Sequence, residues 1–113
     1  MTLYGIRNCD TVKRARAWLD DHQVSHVFHD FKTAGVEPVK LEAWCQVHGW
    51  ETMLNRAGTT FRKLAESDKQ DLSEQKAIAL MLERPTMIKR PVLEDGGRSM
   101  VGFRADRYSE FVG

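Results

Sequence analysis

Thr2-Leu3-Tyr4-Gly5-Ile6, then Arg7-Asn8-Cys9-Asp10, then Thr11-Val12-Lys13-Arg14-Ala15-Arg16-Ala17-Trp18-Leu19, is the stretch that decides the fold. The first five residues read as a short apolar strand. The period then changes: Val12, Ala15 and Leu19 recur at i, i+3 and i+7 with Trp18 beside them, which is the stripe of an amphipathic helix. Lys13, Arg14, Arg16 and Asp20 fill its other face. Asp10 or Thr11 supplies an oxygen for the first-turn amides, and the helix runs to about Asp21 or His22. A second strand candidate spans His26 to Phe31. Two strands joined by one helix make a βαβ unit, so these strands are expected to be parallel.

The other end of the chain completes a sheet. Thr86 to Ile88 and Val92 to Glu94 read as short strands around Pro91, Asp95-Gly96-Gly97-Arg98 as a hairpin turn, and Ser99 to Phe103 as the returning strand. Arg104 to Val112 is a closing helix with Tyr108, Phe111 and Val112 apolar. Between the two halves the pattern is helical. Val39, Leu41, Trp44, Cys45 and Val47 form one helix ended by Gly49, and Trp50 to Leu54 form a further turn. Asn55 to Thr60 is a loop, and Phe61 and Leu64 begin a short helix. Ser73 caps a longer one over Glu74 to about Glu83, with Pro85 as its stop. The expected fold is therefore α/β: a mixed four-stranded sheet with flanking helices, in a single domain over residues 1–113 that carries a helical insertion at about 33–85.

Length and composition bound the rest. The chain has 113 residues, 42% hydrophobic and 29% charged, which is one soluble core's worth. With 17 Lys and Arg against 16 Asp and Glu, the net charge of +1 argues against direct nucleic-acid binding. No apolar run nears the roughly 20 residues of a membrane span. Met1 to Asp10 has no secretory leader pattern, so a cytoplasmic address is expected. Nothing signals oligomerisation, and a monomer is the expectation. The two cysteines, Cys9 and Cys45, are too few for a disulfide framework and match no metal spacing. No metal site is expected, and His22, His26 and His29 share no helical face that would change this.

Cys9 stands where strand becomes helix. A thiol there faces unpaired first-turn amides and the positive end of the helix dipole, and both favour thiolate over thiol. Arg7, Lys13, Arg14 and Arg16 add positive charge against Asp10 alone. The competing reading is a packed cysteine that happens to end a strand. A two-cysteine redox motif would need its second thiol at Val12, so the site is monothiol. Cys45, among Trp44 and Val47, reads as core, with a resolving role as the alternative. Ile88-Lys89-Arg90-Pro91-Val92 is the second feature. A proline just ahead of a strand can be a cis-proline turn, with Arg90 offered to an anion; the plainer alternative is an edge-strand proline beside a solvated arginine.

Four blocks taken together resemble the arsenate reductase (ArsC)/Spx-like family, nearest its short YffB-like branch. They are Thr2 to Thr11 around Cys9, Asn55-Arg56 to Leu64, Arg84-Pro85 to Val92, and Val101-Gly102-Phe103, in family order along nearly the whole chain. The resemblance implies a thioredoxin-like fold with an inserted helical subdomain, Cys9 as the reactive thiol and Pro91 as a cis-proline. Two departures stand out. Glutaredoxin-coupled arsenate reductases of this family usually carry His-Asn where this chain has Gly5-Ile6, and Ser where it has Val12. Of their three anion-binding arginines, Arg90 matches one and Arg56 falls within one residue of a second. The third position falls at about Gly102-Phe103, leaving Arg98 or Arg104 as substitutes.

What the resemblance implies is a glutathione-dependent thiol-disulfide oxidoreductase. Cys9 is its catalytic residue, and Asn8, Asp10, Thr11, Lys13, Arg56, Arg90 and Pro91 are its substrate- and glutathione-binding set. Glutathione acts as co-substrate with a disulfide or oxidised substrate, and no bound cofactor is expected. Two alternatives remain: a non-enzymatic regulator of the Spx type that docks on RNA polymerase, and a residual arsenate reductase.

Overall fold

The computed structural model describes residues 1–113, which divide into two compact units: Met1–Phe31 with Arg90–Gly113, and Lys32–Lys89. The first unit holds β1 (Thr2–Gly5), α1 (Asp10–Asp21), β2 (Val27–Asp30), β3 (Val92–Asp95), β4 (Arg98–Val101) and α8 (Ala105–Val112). The strands form one mixed sheet in the order β2-β1-β3-β4. β1 pairs parallel with β2, with Thr2 opposite Val27 and Gly5 opposite Asp30. β1 pairs antiparallel with β3, and β3 antiparallel with β4. This is the α/β, thioredoxin-like arrangement with flanking helices that the sequence leads one to expect.

Side chains alternate across a strand, so one face of this sheet collects Leu3, Leu93 and Met100. Ala15 and Leu19 of α1 and Tyr108 of α8 pack onto them. Trp18 and Phe103 meet Tyr108 edge-on, with ring centroids 5.7 and 4.8 Å away. The Tyr108 hydroxyl is buried without a hydrogen-bond partner, and burial pushes its pKa up. The hairpin between β3 and β4 turns on Gly96-Gly97, where Gly96 takes φ +61°, a region that favours glycine.

The second unit is helical: α3 (Pro38–His48), α4 (Trp50–Met53), α5 (Thr59–Arg62), α6 (Glu66–Lys69), α7 (Glu74–Glu83) and a 3-10 turn at Pro85–Met87, while α2 (Phe31–Ala34) straddles the unit boundary. Ser73 caps α7 as expected, its Oγ accepting from the Lys76 amide at 3.2 Å. Several sequence expectations are corrected. Thr86 to Ile88 is not a strand: Pro85 starts a 3-10 turn, and only Ile88 makes a bridge, with Leu54. Phe31 leaves β2 and opens α2. Val39 and Val47 lie on the exposed face of α3, 75% and 69% accessible, so only Leu41, Trp44 and Cys45 of that apolar set are core.

One contact governs the approach of β1 to α1. A Cβ placed on Gly5 would lie 2.7 Å from Cγ2 of Val12, closer than carbon atoms tolerate. Val12 is fully buried and has no room to yield. Gly5→Ala is therefore expected to destabilise the protein by about 1–3 kcal/mol through overpacking. In a Val12→Ala background the same substitution should cost less than half as much. Urea denaturation of the four variants checks this, and additive effects would show that the contact does not limit the approach.

Candidate active site

Cys9 is the N-cap of α1. Its backbone is extended, φ −112° and ψ 123°, and its carbonyl accepts the first helical hydrogen bond, from the Lys13 amide at 2.9 Å. The expected cap oxygens at Asp10 and Thr11 sit one place too late. Asp10 is the first helical residue, where an acid interacts well with the dipole, and Thr11 Oγ1 accepts from Arg14 Nη2 at 3.4 Å. The Cys9 side chain makes no capping hydrogen bond and is half-buried. Asn8, Asp10 and Lys13 are exposed beside it. Cys9 thus stands at the start of a 12-residue helix and is partly open to solvent.

The charges around it differ in part from expectation. Arg7 is exposed but paired: its Nη1 meets Asp30 Oδ2 at 3.2 Å, and its guanidinium carbon lies 5.8 Å from the Phe28 ring centroid. Arg16 lies over the same ring at 4.3 Å. Asp30, at the end of β2, is the buried charged residue of the chain, 7% accessible. The sequence carried a signal for neither Asp30's partner nor its burial beyond a lone carboxylate in an apolar strand. Gly5 was more legible, because a glycine inside a strand marks a close backbone approach.

Arg90 precedes Pro91 through a cis peptide bond. Pro91 is buried and its carbonyl accepts from the Gly102 amide at 2.8 Å. Arg90 is half-buried, with Nε inside the protein. Ahead of it, the Lys89 amide donates to the Met53 carbonyl at 2.7 Å. Arg56 lies in the second unit after α4, exposed, with its guanidinium 5.9 Å from the Trp50 ring. The two substitute arginines are held elsewhere. Arg98 pairs with Asp95 at 3.4 Å and donates to the Phe111 carbonyl at 3.1 Å, and Arg104 pairs with Asp106 at 3.0 Å.

The second thiol has a different setting. Cys45 is 3% accessible on α3. Burial, and behind it the carboxylates of Glu74 and Glu42, push its pKa up to about 11. A cleft of about 230 Å³ in this unit is lined by Glu42, Gln46, Glu74, Gln75 and Ile78, none of which the sequence singled out. No group of three or more His, Cys, Asp and Glu side chains is placed to hold a metal ion. His22 is stacked on Trp18 at 3.8 Å and its Nδ1 meets the Trp18 carbonyl. No helix is long and apolar enough to cross a membrane.

Comparison with known proteins agrees with this geometry. The model of the ArsC family matches residues 4–111. The solved structure of a protein named YFFB superposes with a TM-score of 0.93 at 60% identity, covering 96% of each chain. The solution structure of an arsenate reductase (ArsC) related protein from Brucella melitensis superposes with a TM-score of 0.77 at 48% identity, covering 98% of this chain and 92% of that one. The global transcriptional regulator Spx of Streptococcus agalactiae is 30% identical over 117 residues, 99% of this chain and 82% of its own.

The two thiols should separate cleanly in solution. At pH 7, dithiodipyridine is expected to modify one thiol of the native protein within minutes, and the second only after unfolding in guanidinium. Peptide mapping should place the fast site at Cys9 and the slow one at Cys45. Equal rates at both would contradict the burial described here.

Proposed function

The chain belongs to the ArsC family, and on that premise we propose that it is a glutathione-dependent thiol-disulfide oxidoreductase with Cys9 as its single nucleophile. The observation that carries this reading is the position of Cys9: an accessible thiol at the N-cap of α1, with no capping hydrogen bond of its own. Cys9 gives its proton to solvent, and the thiolate attacks the glutathione sulfur of a mixed disulfide. The new Sγ–S bond forms as the old S–S bond breaks, and the substrate leaves as a thiolate with the electron pair. The thiolate of a second glutathione then attacks the Cys9 adduct, releasing oxidised glutathione and restoring Cys9. The mixed disulfide is reduced to the substrate thiol and one glutathione thiol is oxidised, the other half of the oxidised glutathione coming from the mixed disulfide, so the cycle balances without a second protein cysteine.

The assignment rests on the first unit alone. Lys13, with Asn8 and Thr11, offers polar groups beside the thiol, and Arg90 offers a guanidinium suited to a carboxylate of glutathione. Arsenate is disfavoured as substrate by packing. The three positions where family arsenate reductases usually carry polar side chains are here Gly5, Ile6 and Val12, and Val12 fills the space a side chain at position 5 would need. A second reading, a transcriptional regulator that docks on RNA polymerase, is favoured by the likeness to Spx. Docking has no need of the Cys9 thiol, and exchange requires it.

Exposure to oxidised glutathione followed by intact-mass measurement separates the two. One glutathionyl adduct is expected, mapped to Cys9, absent from Cys9→Ser and reversed by reduced glutathione. Arg90→Ala should slow its formation about tenfold, the scale of one charge-assisted hydrogen bond. A native protein that takes no adduct at Cys9 would leave the docking reading standing.

A further inference from the structure

We infer that Asp30 is a specificity-determining residue: by holding the Arg7 guanidinium, it sets how strongly the Cys9 site attracts anions. The inference rests on the reading of Cys9 as the exchanging thiol. Arg7 is two residues before Cys9, so their Cα atoms are at most ~7.6 Å apart. Along the chain it is one of the cationic residues nearest the thiol. Left alone, a guanidinium there would draw in oxyanions and polycarboxylates. In the structure it is turned to Asp30, with Nη1 and Oδ2 3.2 Å apart.

The pair is asymmetric in a way that suits this role. Asp30 is 7% accessible, whereas Arg7 is 66% accessible. Asp30 is fixed by the sheet, at the position of β2 opposite Gly5, the last residue of β1. The segment Ile6–Cys9 leaves the sheet directly after that pairing. Asp30 thus pairs with the exposed Arg7 at the point where the loop to Cys9 begins. The side of Arg7 away from Asp30 rests near Phe28, a ring it shares with Arg16. The neutralised pair leaves the site less attractive to a multiply charged anion, while a neutral disulfide, which gains nothing from the cation, is unaffected.

The test compares two disulfide probes at pH 7, anionic dithiobis-nitrobenzoate and neutral dithiodipyridine, each exchanging with the Cys9 thiolate and releasing an aromatic thiol. The readout is the ratio of their rate constants, which a general loosening of the loop would leave unchanged. Asp30→Asn should raise the anionic-to-neutral ratio about threefold or more. Arg7→Met should lower it, and the double variant, neutral again, should return it near the starting value. Molar salt should collapse all the differences, because the Debye length falls to about 3 Å. Arg7 is exposed, so Arg7→Met tests the idea even where Asp30→Asn does not fold. A ratio that stays constant across the variants overturns this inference and leaves the proposed exchange chemistry intact. Failure of the neutral probe to modify native Cys9 overturns both.

Discussion

The close approach of Gly5 to Val12 determines where the Cys9 thiol sits. β1 ends against the first buried residue of α1, and the three residues Ile6, Arg7 and Asn8 have only to bridge that short gap before the helix begins at its cap, Cys9. The sheet holds one end of the bridge, through Gly5 and Asp30 opposite each other in β1 and β2. The helix holds the other, through the Lys13 amide on the Cys9 carbonyl. A larger residue at position 5 would push the helix start away and move the thiol with it. The same contact leaves no room for a side chain at position 5 beside Val12, so one packing constraint both places Cys9 and limits what surrounds it.

The two cysteines show how environment decides the use of one functional group. Cys9 is at a helix start with solvent on one side. Cys45 is enclosed on α3, and its apolar surroundings and nearby carboxylates keep it protonated to about pH 11. A thiolate is the nucleophile in disulfide exchange, so the buried cysteine behaves as a small apolar residue. The charged groups near Cys9 are divided in the same manner. Lys13 is exposed and makes no ion pair, while Arg7 is committed to Asp30.

Much of this was legible in the order of the residues, because it depends on local pattern. The change from apolar strand to a period of 3.6 around Cys9, the Gly96-Gly97 turn and the Ser73 cap each declare themselves within a few positions. So does the strand-to-helix junction that carries Cys9. The parts that were not legible depend on tertiary contact. Val39 and Val47 look like core residues on α3 and are exposed, because the helix buries the face carrying Leu41, Trp44 and Cys45. Arg7 looked like a free cation, and its partner is 23 residues further along the chain. Arg98 and Arg104 looked available, and each is held by a nearby carboxylate.

The account turns on whether the fold activates Cys9. The direct measurement is the rate constant of iodoacetamide with Cys9 at pH 7 in the Cys45→Ala protein, folded and then unfolded in urea. The account predicts that the folded protein reacts faster, as a nucleophile positioned by the fold should. A folded protein that reacts no faster than its own unfolded chain would contradict it.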